Sequence, residues 1–188
     1  MSLSLPQGSN LSNQSKSLSP QEIFELLLTL FPEGSLEFQD LTHQPTILVF
    51  PDLLREVMLT LRDDHRLAFN CLMCLTGVDR QGLEVVYHLY SMVHHHKITI
   101  RVKVGYDDPK IPTVSDIWPT AEWHEREAYD LLGIEFINHP DLRRILCPED
   151  WEGYPLRKDY QPPLWYHGIP VTVNVPGGAS TPSIRTES

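Results

Sequence analysis

Basic residues are scarce in this chain: 15 Lys and Arg stand against 25 Asp and Glu, giving a net charge of −10 over 188 residues. Nucleic acids and anionic lipid both call for a basic surface, so the charge balance excludes each as a primary partner. Long apolar runs are missing as well. The best candidate, residues 23–31, is interrupted by Glu25 and falls far short of the roughly 20 residues that a bilayer span requires. Residues 1–18 have neither a positive start nor an apolar core, which excludes a secretory signal. Cysteine is limited to three, an odd number that suits free thiols in a reducing compartment better than a disulfide framework. Gly77, Gly82 and Gly105 are isolated turn glycines, no Gly-rich loop of dinucleotide or Walker type is present, and no Gly-x-Ser-x-Gly elbow occurs. A soluble, intracellular chain is expected.

The length suits one domain with tails, and a hydrophobic content of 41% points to polar tails around a compact body. Residues 1–18 are Ser- and Asn-rich and read as a disordered lead-in. Residues 19–138 read as an α+β domain. Ser19-Pro20-Gln21-Glu22 forms a capping box with proline at the first helical position, and Ile23, Leu26, Leu27 and Leu30 follow at helical spacing. Strands are expected over 35–40 and 46–50. A helix then runs from Asp52, taken as its N-cap, to about Asp63. Residues 69–76 are apolar on both faces, as in a central strand. Leu83, Val85, Tyr87 and Leu89 alternate with mixed neighbours, and Ile98, Ile100, Val102 and Val104 alternate with polar ones, joined by a hairpin turn over Ser91 to Lys97. A helix from near Thr120 ends at Gly133, the residue best able to close it in the left-handed conformation. Eight of the 16 prolines lie between Pro140 and Pro182, so residues 139–188 are expected as an extended arm. The fold expected is a mixed or antiparallel sheet backed by helices, followed by that arm.

Three motifs invite a chemical reading and lose it on geometry. Cys71 and Cys74 have the spacing of a metal half-site or redox pair. On a strand, positions three apart face opposite ways, so the two sulfurs cannot meet without a local bend. The pair is read as buried free thiols in a central strand, and Cys147 has no role. His94-His95-His96 at a hairpin tip has no carboxylate or thiol near it in sequence and reads as a solvated turn. Trp123-His124-Glu125 opens like a zinc-protease helix, but Ala128 stands where the second histidine is needed.

The densest charge pattern is Glu125-Arg126-Glu127 with Asp130, continuing through His139, Arg143 and Arg144. At helical spacing Arg126 falls between Glu122 and Asp130 on one face, where each exposed pair is worth about 0.2–0.5 kcal/mol. Glu125 and Glu127 project roughly 200° apart, so they are not a paired acid and base. Aromatics gather around these charges: Trp118, Trp123, Tyr129, Trp151, Tyr154 and Tyr160. Arginine among aromatics is the composition of an interface core. A surface awaiting cover by another protein is therefore expected.

The same residues carry a resemblance. Glu125-Arg126-Glu127, Asp130, Leu131-Leu132, His139, Arg143 and Ile145-Leu146 match in register the signature of the C subunit of respiratory complex I, the NADH–quinone oxidoreductase. The run from Pro148 through Trp151 to Pro155-Leu156-Arg157-Lys158-Asp159-Tyr160 is similar to the tail of that family. The resemblance covers about residues 118–160. It implies a peripheral subunit on the cytoplasmic side of the cell (inner) membrane, touching that membrane only through the complex. It implies no catalytic site, cofactor or metal in this chain, with FMN, iron–sulfur clusters and quinone held by other subunits. The neighbours implied are the quinone-cavity subunit (D) and the terminal iron–sulfur subunit (B). Glu125, Arg126, Glu127, Asp130, His139, Arg143, Arg144, Trp151, Arg157, Lys158, Asp159 and Tyr160 are then the expected contacts between subunits. A same-fold subunit of a membrane-bound hydrogenase or a ferredoxin-driven quinone oxidoreductase is the alternative.

Overall fold

The computed structural model describes residues 17–40 and 44–171. The lead-in expected over 1–18 lies outside these residues apart from Ser17 and Leu18, and so does the last part of the arm. Helix α1 (Pro20–Leu28) begins as its sequence prescribes. The Ser19 hydroxyl accepts the Glu22 N–H at 3.2 Å, and the Glu22 carboxylate accepts the Ser19 N–H at 2.8 Å. Strands β1 (Leu36–Gln39) and β2 (Thr46–Val49) follow, then helix α2 (Pro51–Asp63). Its N-cap is Phe50, with proline in the first turn, so Asp52 sits inside the first turn rather than capping. There its negative charge still complements the helix dipole.

Strands β3 (Cys71–Asp79), β4 (Leu83–Tyr90) and β5 (Lys97–Val104) complete one mixed sheet in the order β1-β2-β5-β4-β3. The β2–β5 pair is parallel and the other pairs are antiparallel. Strand β3 is thus an edge, not the central strand that its two-sided apolarity suggested. The apolar character has another cause: helix α3 (Ala121–Leu132) packs across it. The His124 ring on α3 also accepts the Leu75 N–H at 3.2 Å, occupying a donor that the open edge would leave bare.

Leu72, Leu75, Leu83, Val85, Tyr87, Leu89, Ile98, Ile100 and Val102 line the helix-covered face of the sheet and are buried. Leu54, Val57, Met58 and Leu61 of α2 and Ala121, Ala128 and Leu132 of α3 close over them. Gly77 allows the close approach. A Cβ there would overlap the Leu132 side chain and press on Ile134 and Ala128. The hairpin turn before β5 is not a solvated one. His96 is buried with its Nε2 2.6 Å from the Leu67 carbonyl, and His94 Nε2 lies 2.8 Å from the His65 carbonyl. The histidines stitch the turn to the loop after α2.

A small parallel pair, β6 (Lys110–Pro112) and β7 (Glu135–Ile137), flanks α3 and sets its two ends. Beyond Asn138, which turns the chain at a φ of 65°, residues 139–171 form the arm. The arm is irregular except for one hairpin, β8 (Trp165–Tyr166) with β9 (Ile169–Pro170), a regular element that its proline content did not suggest. Gly77→Val should cost about 1–3 kcal/mol by forcing α3 off the sheet, read as a lower denaturant midpoint.

Candidate functional site: the signature helix and its arm

Every one of the last three carbonyls of α3 is met by the arm. Arg144 Nη1 donates to the Asp130 carbonyl at 3.0 Å, the Leu156 N–H to Leu131 at 3.0 Å, and Arg157 Nε to Leu132 at 2.6 Å. A helix end leaves such carbonyls without intrahelical donors, so the arm acts as the C-terminal cap of α3. Gly133, at a φ of 72°, lets the chain turn away, and its N–H bonds the Tyr129 carbonyl at 2.8 Å. The Tyr154 ring lies against Gly133, where any Cβ would come within 2.5 Å of it. Arg157 and Arg144 sit over that ring at 4.5 and 5.5 Å.

Asp130 is the centre of the attachment. Its Oδ2 accepts the backbone N–H groups of Ile145, Leu146 and Cys147 at 3.0, 2.7 and 2.8 Å, while Oδ1 takes Arg144 Nη1 at 2.7 Å. Burial raises the pKa of this carboxyl, but the Cys147 amide, Arg144 and the Leu146 and Ile145 amides outweigh it and bring the net shift below the ordinary value. Arg144 also reaches the Trp151 and Gly153 carbonyls with Nη2, at 2.9 and 3.0 Å.

Arg126 is turned inward too. It is 6% exposed and gives Nε and Nη2 to the Arg143 and Arg144 carbonyls, both at 3.3 Å, with its guanidinium 5.2 Å from the Trp123 ring centre. The expected bridge between Glu122 and Asp130 is therefore not made. Helical spacing places those charges in reach of one another, but the arm carbonyls and amides compete successfully because the site is closed to water. Glu125, Arg126 and Asp130, expected on a surface awaiting another protein, are already buried within this chain.

Glu125 points the other way, into the core. Its carboxylate takes the Val114 N–H at 2.8 Å and the Thr113 hydroxyl. His139 Nε2 is 3.9 Å from Oε2, with both side chains fully enclosed. That Nε2 is 3.1 Å from the Glu122 carbonyl, and Nδ1 accepts the Asp141 N–H at 3.1 Å. The ring thus turns Nε2 to the Glu122 carbonyl, nearer than to the carboxyl. Burial then dominates and pushes the Glu125 pKa up from 4.5 to about 7, against the Thr113 and Val114 donors. The Tyr87 hydroxyl is buried nearby without a protein partner, and burial and the Glu125 charge raise its pKa well above 10. Helical and strand periodicity carry no sign of Thr113, Val114 or Tyr87 in this cluster, because β6, α3 and β4 meet only in the folded chain.

The remaining expected residues divide by exposure. Trp151 and Tyr160 are half-buried and joined by a 3.1 Å bond from the indole to the phenol oxygen. Glu127, Arg143, Lys158 and Asp159 are exposed. Arg143 pairs with Asp141 at 2.8 Å, and the Lys158 N–H donates to Asp79 at 2.9 Å, tying the arm to the end of β3. Trp118 belongs to the core, its indole bonded to the Phe69 carbonyl at 3.0 Å. Large apolar side chains stand out along the arm: Leu146 is 64% exposed, Leu156 59%, Leu164 66% and Ile169 67%. No group of three or more His, Cys, Asp or Glu among the described residues is placed to hold a metal ion. None of the described helices is long and apolar enough to cross a membrane.

This geometry can be probed at both acids. Asp130→Asn leaves Arg144 without its anion and turns an NH2 donor towards either Arg144 or the three amides, since only one acceptor oxygen remains, a loss of about 3 kcal/mol. Limited trypsin digestion should then cut at Arg143 and Arg144 faster than in the wild type, with the body surviving. For Glu125, the folded carboxyl keeps its proton where the unfolded one has lost it. Its contribution to stability therefore falls as pH rises from about 4.5 to about 7, by roughly 3 kcal/mol, and is level above. Glu125→Gln should abolish that slope in urea titrations and be more stable than wild type at pH 8.

Comparison with known proteins gives these contacts a context. The family model "Respiratory-chain NADH dehydrogenase, 30 Kd subunit" matches residues 47–164. The NADH-quinone oxidoreductase C subunit of Chloroherpeton thalassium is 49% identical over 139 residues, 70% of this chain but 58% of its own length. The corresponding C subunit of Roseiflexus sp. is 41% identical over 156 residues, 81% of this chain and 88% of its own. Among solved structures, a trypsin-resistant fragment (1-134) of Nqo5 superposes with a TM-score of 0.55 at 30% identity, covering 63% of this chain and 98% of the fragment. A chain of the membrane-bound sulfane sulfur reductase, an archaeal respiratory membrane complex, superposes with a TM-score of 0.62 at 25% identity, covering 75% and 85%. The matched span takes in the sheet apart from β1, α3 and most of the described arm, and on these grounds the chain belongs to the family of the 30 kDa subunit of the respiratory-chain NADH dehydrogenase, together with relatives named as C subunits of NADH-quinone oxidoreductase.

Proposed function

We propose that this chain is the non-catalytic C subunit of the peripheral arm of an NADH–quinone oxidoreductase (complex I, NDH-1). In that complex electrons pass from NADH through FMN and iron–sulfur clusters to quinone, coupled to proton translocation. The chain contributes shape and contacts to this electron transport. FMN, clusters and quinone reside in neighbouring subunits, chiefly the quinone-cavity subunit (D) and the terminal iron–sulfur subunit (B) on the cytoplasmic side, and membrane contact is indirect.

The observation that carries this reading is the contrast within the arm. Its polar groups are satisfied inward on α3, while Leu146, Leu156, Leu164, Trp165 and Ile169 are left in solvent. Exposed apolar side chains in number, on a segment whose backbone is already fastened, suit a permanent protein neighbour. Glu127, Arg143, Lys158 and Asp159 lie exposed on the same segment and on α3, and form the polar rim of that contact. The relatives at 41–50% identity carry the NADH–quinone name, whereas the likeness to the sulfane sulfur reductase chain stands at 25%, which favours the former over a hydrogenase-type or ferredoxin-driven complex.

Affinity purification of the tagged chain from detergent-solubilised membranes tests it. Iron–sulfur and quinone-cavity subunits should co-purify, and Leu146→Asp with Leu156→Asp should abolish that recovery while leaving the melting temperature of the free chain unchanged. Recovery of the wild-type chain alone from native membranes sinks the assignment.

A further inference from the structure

The two cysteines of β3 were expected on opposite faces of a regular strand. The ladder with β4 is not regular there. Cys71 stands opposite Tyr90, Leu72 opposite Leu89 and Cys74 opposite His88, with the register shifting between Leu72 and Cys74. Met73 is thus the additional residue of a β-bulge. Tyr90 and His88 are two apart on β4 and share a face, so Cys71 and Cys74 share it also. It is the face that the helices leave uncovered, because Leu72, Leu75, Tyr87 and Leu89 are the buried, helix-facing residues. Cys74 is exposed, Cys71 is half-buried, and both are free.

The bulge sets the two backbone positions at the spacing of alternate strand residues, about 6.8 Å. A disulfide reaches at most about 7 Å between Cα atoms, so direct oxidation is at its geometric limit. Two sulfurs meeting on one ion, each at about 2.3 Å, bridge that spacing comfortably. The setting selects the ion. A cleft of about 500 Å³ is lined by Cys74, the Met73 thioether, His88, Lys97 and Thr99, and no carboxylate among the described residues lines it. Hard cations therefore find no oxygen anions here, while soft sulfur donors are at hand. The His88 ring is turned to the Thr99 hydroxyl at 3.2 Å.

We propose that Cys71 and Cys74 form a chelating site for a soft, thiophilic monovalent cation of the copper(I) class. Each thiol loses its proton as its sulfur bonds the ion, so two protons leave per ion bound and no electron is transferred. Two-coordinate binding is what copper(I) accepts, and it needs no third protein ligand.

The full-length chain, purified without oxygen under reductant, is titrated with copper(I) in competition with bathocuproine disulfonate. The wild type should withhold about one equivalent from the chelator and remain a monomer by size exclusion. Cys71→Ser and Cys74→Ser should each abolish retention, and Cys147→Ser should leave it intact. Cys74 is exposed, so its serine variant keeps the fold, and a melting curve matching wild type verifies this. Failure of the wild type to retain copper overturns the proposal. Retention by the Cys74→Ser variant, loss in the Cys147→Ser variant, or copper-dependent dimers bridged between chains does so equally.

Discussion

The carboxylate of Asp130 gathers more bonds than any other group that joins the two halves of this molecule. Sealed from water and surrounded by three amides and a guanidinium, it replaces with fixed donors the hydration it gave up, and only the arm supplies those donors. The dependence is mutual. The C-terminal carbonyls of α3 are capped by Arg144, Leu156 and Arg157 of the arm, and the arm has no ladder with the main sheet to hold it otherwise. The helix is closed by the segment it anchors.

Glu125 and Asp130 illustrate how environment divides two acids of one helix. Both are fully buried, yet one is surrounded by donors and stays ionised. The other faces two donors, the His139 ring and an orphaned phenol, and holds its proton toward neutrality. The difference arises from what lies opposite: the arm on one side of α3, and the β6 end with β4 on the other.

Much of the scaffold was legible in the residues. The Ser19 capping box, the alternation of β4 and β5 and the closing role of Gly133 all act locally, so they are visible locally. The family signature also stood in plain view. Three things were hidden, each for a physical reason. The apolar run of β3 suggested a central strand because a helix packed on an edge leaves the same imprint as flanking strands. The cysteine faces depended on a bulge that no single-strand pattern announces. The inward turn of Glu125, Arg126 and Asp130 was masked because charge at helical spacing looks solvated until a non-periodic segment supplies its partners. His94 and His96 were obscured in the same way, their acceptors being carbonyls of the loop after α2.

The grip on residues 145–147 is made through main-chain N–H groups, and every amino acid except proline carries one. What the side chains of Ile145 and Leu146 happen to be is therefore a matter of indifference to the clasp, whereas the Cys147 thiol itself touches Asp130 and Arg144. Leu146 alone of the three stands out in solvent, so its side chain can be exchanged to suit a neighbouring surface without loosening the hold beneath.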